Sequence, residues 1–139
     1  MDEREKMIRL WFAMWLQKRD RGIEEIFAPQ AVYIESWGPE YHGVAKIKLW
    51  FAEWNARGSV LKWKIKQFFH KENQTAVEWH FENAMQDGTA DTFDGISLVQ
   101  WTNDDKIERL QEFGCNLNRY DPYENGETPQ FKEEKALWF

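Results

Sequence analysis

The chain has 139 residues, enough for one domain of ordinary size, and its 42% hydrophobic content supplies one real core. Its 18 basic and 24 acidic residues leave a net charge of −6, which speaks against nucleic acid, because phosphate binding needs a basic stripe. The single cysteine, Cys115, excludes an intramolecular disulfide, and no Cys/His cluster has zinc spacing, so neither a metal nor a cofactor is expected.

No apolar run approaches the roughly 20 residues needed to span a bilayer. The first residues, Met1-Asp2-Glu3-Arg4-Glu5-Lys6, are too charged for a signal peptide. Together with the lone thiol, these features lead us to expect a cytoplasmic protein with no membrane partner. Aromatic residues reach 17%, with nine tryptophans. Such side chains fill cores, and they also line ligand pockets.

Residues 3–19 read as a helix, with Met7, Ile8, Trp11, Met14 and Trp15 at spacings of three and four and Gly22 as its break. A short helix over 22–28 ends at Pro29. Ala31 to Ser36 reads as a strand, and Trp37-Gly38-Pro39-Glu40 as a turn. A third helix, 43–57, carries Val44, Ile47, Trp50, Phe51 and Trp54 on its apolar face, with Gly58 as C-cap.

Four antiparallel strands follow. In 60–70, Leu61, Trp63 and Ile65 alternate with Lys62, Lys64 and Lys66. In 76–85, Val77, Trp79 and Phe81 alternate with Glu78, His80 and Glu82. Pairing through the hairpin at Lys71-Glu72-Asn73-Gln74 sets the lysine row against the acidic row, which stabilises it by a few tenths of a kcal/mol per pair. Asp87-Gly88 makes the next turn.

Strand 92–101 is apolar on both faces, and Asn103-Asp104-Asp105-Lys106 leads into the last strand, 107–117. A strand buried on both sides needs two covers. The helices supply one. A second copy of the chain, seated on Ile96, Leu98, Ile107 and Phe113, is expected to supply the other. The segment 121–139 lacks periodicity, ends in Leu137-Trp138-Phe139, and reads as an extension to a domain over 1–120.

This order of elements resembles the nuclear transport factor 2-like superfamily, which includes ketosteroid isomerases and SnoaL-like polyketide cyclases. The residues that carry the likeness lie within about 7–118. They are Ile26-Phe27-Ala28-Pro29-Gln30-Ala31-Val32-Tyr33-Ile34-Glu35, Gly43 before a helix, Phe93-Asp94-Gly95, and Asp105-Lys106-Ile107. The resemblance implies an α+β, cystatin-like fold, in which a cone-shaped, curved antiparallel β-sheet packs against three N-terminal helices around a pocket for a small ligand. Such a fold hosts enzymes, binding proteins and transport factors alike.

Ketosteroid isomerases use a carboxylate base and an oxyanion hole made by a Tyr and a protonated Asp. Aligned on this chain, the base falls on Glu35, the Tyr on Trp11 and the Asp on Ser97. The resemblance therefore keeps the base and loses most of the oxyanion hole. For Glu35, exposure at a strand end stands beside the role of base. Glu112 shares the inward register of Leu110, so it is a second acid/base candidate, with an ion pair to Arg109 or Arg119 as the alternative.

The expected pocket lining is Trp11, Trp15, Trp37, Tyr41, Trp54, Trp63, Trp79, Phe81, Asn83, Ser97 and Leu110, with Met85 toward the open end. Asp94 reads as a turn or bulge residue beside Gly95, His42 as a loop residue near the pocket mouth, and Cys115 as packing. The expected function is binding of a small apolar or cyclic ligand, with cofactor-free acid/base catalysis of isomerase, cyclase or dehydratase type. A binding or dimeric interaction module without chemistry is the alternative.

Overall fold

The computed structural model describes residues 2–115, 117 and 119–132. Helix α1 spans Glu3–Gln17 and starts on Asp2, whose carboxylate accepts from the backbone N–H groups of Arg4 and Glu5 at 2.7 and 3.2 Å. That cap satisfies donors the helix leaves open. The helix stops at Lys18, which takes a left-handed conformation (φ 56°), not at Gly22. Gly22 instead opens α2, Ile23–Ile26.

Strand β1 begins at once, over Phe27–Ile34, so Pro29 lies in a strand and does not end the helix. The register of β1 slips between Phe27 and Val32, and this irregularity accommodates a residue that cannot donate to a ladder. Glu40–His42 forms the short strand β2, paired with β1, where a turn was expected over 37–40. The turn itself is confined to the residues around Gly38 (φ 125°).

Helix α3, Val44–Arg57, runs directly into β3, Gly58–Lys71. Gly58 is extended and is not a left-handed cap. A side chain there would overlap the Met85 sulfur, so close packing explains the glycine. Strands β4 (Gln74–Met85), β5 (Ala90–Trp101) and β6 (Ile107–Cys115) follow.

The sheet order is β2-β1-β6-β5-β4-β3. The long strands β3 to β6 pair antiparallel, as expected, but β1 joins β6 in parallel, so the sheet is mixed. The helices pack on one face of this curved, unclosed sheet. Among the described residues no helix is long and apolar enough to cross a membrane.

Three bulges decide which side chains face inward. A slip between Val60 and Lys62 buries Val60 and turns Leu61 outward, leaving it 60% exposed where an inward position was expected. Beyond it, Lys62 meets Glu82, and Lys64 faces His80, as the charge pattern implied. A second slip in β3, between Ile65 and Gln67, gives Glu78 a glutamine partner where a lysine was expected.

A third slip, between Gln100 and Trp101, sets Ile107 opposite Trp101. Ile107 is consequently a core residue, not part of an outer patch with Ile96, Leu98 and Phe113. Gly95 sits in regular register, with no bulge. Its missing side chain makes room for the Trp79 ring, and a Cβ would also lie 2.7 Å from the Phe113 carbonyl oxygen.

The core is aromatic. Trp11, Phe27, Tyr33, Trp79 and Trp101 are all fully buried. The Trp79 indole donates to Ser97 Oγ and the Trp101 indole to Thr75 Oγ1, both at 2.9 Å, so the two buried hydroxyls serve buried indoles. The last strand ends at Cys115, short of the expected 117. Leu137-Trp138-Phe139 lies outside the described residues.

Candidate functional site

Side chains at alternate positions of a strand share a face. In β1 that rule lines up Ala31, Tyr33 and, just past the strand, Glu35. In β6 it lines up Leu110 and Glu112. Because β1 and β6 are neighbours in parallel, with Tyr33 opposite Leu110, the two glutamates arrive at the same end of the sheet. Helices α1 and α3 close over that end with Trp15, Trp50 and Trp54. The result is a cavity of about 250 Å³.

Of the expected site residues, Trp15, Glu35, Trp37, Trp54, Trp63, Trp79, Phe81, Asn83 and Glu112 line this cavity, together with Met85. Four do not. Trp11 is sealed in the core, and its indole turns to the Tyr33 hydroxyl at 3.4 Å. Ser97 lies under Trp79 as its hydrogen-bond acceptor, and Leu110 is fully buried. Tyr41 stands behind the wall, stacked on Trp50 with ring centroids 4.4 Å apart. Its hydroxyl donates to Glu35 at 2.7 Å, so it acts on the site through that carboxylate.

Ser36, Trp50, Asp91 and Phe93 also line the cavity and were not singled out as its lining. Asp91 and Phe93 share the parity of Ser97 and Val99 on β5, so the alternation already carried the signal. Tyr33 was read only as a strand residue. It proves to be the hydrogen-bond partner of Glu112, donating its hydroxyl proton to Oε2.

Asp94, His42 and Cys115 are not in the cavity lining. Asp94 lies on the outer face of the sheet, hydrogen-bonded to His80 and Lys66. His42 is exposed beside Glu40. Cys115 is exposed rather than packed inside. The alternative partners for Glu112 are engaged elsewhere: Arg109 donates to Gln111, and Arg119 reaches Cys115 and Asp94.

Burial sets the charge state of the two glutamates. Desolvation raises Glu112 to about 8, with the Glu35 charge adding to the rise and the Tyr33 hydrogen bond opposing it. Glu112 is therefore largely protonated at neutral pH, and a protonated carboxyl can donate. Glu35 is raised less far, because hydrogen bonds from Tyr41 and Trp37 offset its desolvation. Desolvation and the neighbouring Glu112 push the Tyr33 phenol well above its ordinary range.

The cavity thus pairs a carboxyl that burial holds protonated with a second, Glu35, whose desolvation is opposed by hydrogen bonds. That is the arrangement proton transfer needs. Its mouth is flanked by Trp37, 77% exposed, and Asp91. Asn83 Oδ1 accepts from the Asp91 backbone N–H at 2.9 Å, which fixes the wall between β4 and β5.

Among the described residues one group has metal-ligand geometry, Asp2, Glu5 and His70. None of the three lines the cavity. Asp2 there caps α1, and Glu5 and His70 bond each other at 2.8 Å.

Comparison with known proteins places the fold. The sequence profile of the SnoaL-like domain matches residues 8–110. No curated protein matches the chain. Solved structures do. One is a protein of ketosteroid isomerase-like fold from Catenulispora acidiphila, in complex with trimethylamine. It is 18% identical with a TM-score of 0.65, over 80% of this chain and 85% of that one.

A second, TerC, was co-crystallised with polyporic acid. It is 17% identical with a TM-score of 0.67, over 82% and 92% of the two chains. A third, from Jannaschia sp. CCS1, is provisionally named a SnoaL-like polyketide cyclase. It is 10% identical with a TM-score of 0.65, over 80% and 84%. At these identities the likeness establishes the fold.

Proposed function

This chain belongs to the SnoaL-like domain family, and from that premise we propose that it binds a small, largely apolar or cyclic molecule and moves a proton on it without a cofactor. Glu35 is the base and Glu112, held protonated, is the acid. The observation that carries the reading is the pair of desolvated carboxyls in one aromatic cavity, one of them raised to about 8. Structural neighbours with small molecules bound, trimethylamine in one and polyporic acid in another, support the use of such a cavity. Isomerisation, cyclisation and dehydration can each use such a base-and-acid pair.

The test does not require the natural ligand. Ring opening of 5-nitrobenzisoxazole needs only a base in an apolar pocket. The wild-type protein should accelerate it, and Glu35→Gln should lower the rate about 100-fold, the scale of one general base. Equal rates for wild type and Glu35→Gln would remove Glu35 as the base.

A second reading is a binding protein without turnover. Two observations favour it: Trp11 and Ser97, where an isomerase keeps its oxyanion hole, are sealed away from the cavity. Ligand binding with no rate above background for the same probe would select it. For the outer face, Ile96 and Phe113 sit opposite each other on β5 and β6, 44% and 49% exposed. We propose that a second copy covers them, with Leu98 beside them. Sedimentation of a monomer at micromolar concentration would refute that.

A further inference from the structure

We propose that the ligand carries a positive charge, as a small organic ammonium compound with an apolar or cyclic body. The inference rests on the proposed function, because it assigns a chemical class to the occupant of the same cavity. Its basis is the sign of the lining. Glu35, Asp91 and the protonated Glu112 all line the cavity, and among the described residues no lysine, arginine or histidine does. This is not a shortage of bases in the chain, which has 18 lysines and arginines. The arginines that flank Glu112 in sequence are engaged elsewhere: Arg109 with Gln111 at 3.2 Å, and Arg119 with Asp94 at 3.7 Å.

Glu35 is therefore desolvated in the cavity, the exposed Asp91 stands at its mouth, and no described base lines the cavity to balance them. A neutral occupant would displace water and deepen that penalty, and an anion would be repelled. A cation would relieve it. The remaining walls favour the same answer. The indoles of Trp15, Trp50, Trp54, Trp63 and Trp79 surround the site. Indole faces carry negative potential and attract ammonium groups, increasingly so away from water.

The competing chemistry is a ligand that accepts hydrogen bonds. Trp15 Nε1 and Trp63 Nε1 have no acceptor, which makes them the obvious donors for it. Both atoms are closed to solvent, however, so a molecule in the cavity reaches the rings and not these N–H groups. Size fits a compact cation. A cavity of about 150 Å³ accepts benzene, and this one is about 250 Å³. A positive charge beside a carbon also makes its C–H more acidic, so Glu35 can act both as counter-charge and as base.

The test uses a matched pair, phenyltrimethylammonium and its neutral isostere tert-butylbenzene, with binding followed by indole N–H chemical shifts. The wild-type protein should bind the cation at least tenfold more tightly. In the double variant Glu35→Gln, Asp91→Asn the ratio of the two affinities should fall to about one. Equal or tighter binding of tert-butylbenzene by wild type overturns the cationic ligand and leaves the cavity and its proton chemistry standing. Binding of neither probe overturns the pocket reading as well.

Discussion

The two faces of the strands β4 to β6 carry the same acidic residue types with opposite outcomes. On the outer face, Asp94 and Glu82 flank His80 at 2.8 and 2.7 Å, and Lys66 and Lys62 stand beside them. Hydrogen bonds from His80 hold both carboxylates below their ordinary values, and the two carboxylates raise His80 in return. On the inner face, no base among the described residues lines the cavity beside Glu112, which rises to about 8. The difference is what lies over each face. Solvent and opposite charge keep an outer carboxylate ionised. A roof of tryptophans takes water away and leaves the inner one holding its proton.

The inner face depends on its roof, so the largest effect should come from removing it. Trp79 lines the cavity, packs over Gly95 and donates to Ser97. Trp79→Ala should cost about 3–5 kcal/mol in denaturant unfolding, the usual scale for a buried aromatic. A loss below about 1 kcal/mol would mean that the cavity wall is not part of the core.

The next effect sharpens the contrast in charge. The folded-state value of Glu112, about 8, lies above the ordinary 4.5. Below pH 4.5 the group is protonated in both folded and unfolded chains and contributes nothing to the pH dependence. As pH rises from 4.5 toward 8, the unfolded chain ionises and the folded one resists, so stability is lost across that window. Glu112→Gln removes the titration. It should match wild type near pH 4 and exceed it at pH 8 to 9 by about 4 kcal/mol. A pH-independent difference between the two would show that Glu112 titrates normally.

The smallest effect belongs to the outer face. Glu82→Gln breaks a solvated pair with His80 and Lys62. Exposed pairs contribute little, so the thermal midpoint should stay within about a degree at low and high salt. A large, salt-sensitive drop would mean that this face is covered by another surface and that its charges are not solvated.

Much of the fold was legible. Helical spacing marked α1 and α3, and alternation marked β3 and β4, because each of these elements buries one face and that face recurs at the element's own period. The same rule placed Glu112 and Asn83 on inward positions. What escaped was local. The strand β2 is three residues long, too short for a period to show. The parallel contact of β1 with β6 joins segments about 80 residues apart in the chain, and no local pattern records it.

The bulges misled in a different way. Each shifts parity by one, so Leu61 and Ile107 changed faces while their neighbours kept the expected pattern. Trp11 and Leu110 were read as pocket lining because they do point inward. Inward does not separate the filled part of a core from its hollow part. Tyr41 entered the site by another route, through a hydrogen bond to Glu35 from behind the wall.

The sequence by itself determined the aromatic, acidic character of this protein: nine tryptophans, a charge of −6, and carboxylates in register with apolar residues. It also determined the buried face of β4 and of β3 between its two bulges, since there alternation runs unbroken. Only the tertiary structure decided that Glu35 and Glu112 share one cavity, that Tyr33 is the partner of Glu112, and that no base among the described residues lines the cavity with them. Those facts depend on which strands become neighbours and on what the helices cover. Desolvation and the nearness of charges are properties of the assembled space, and no single segment of the chain carries them.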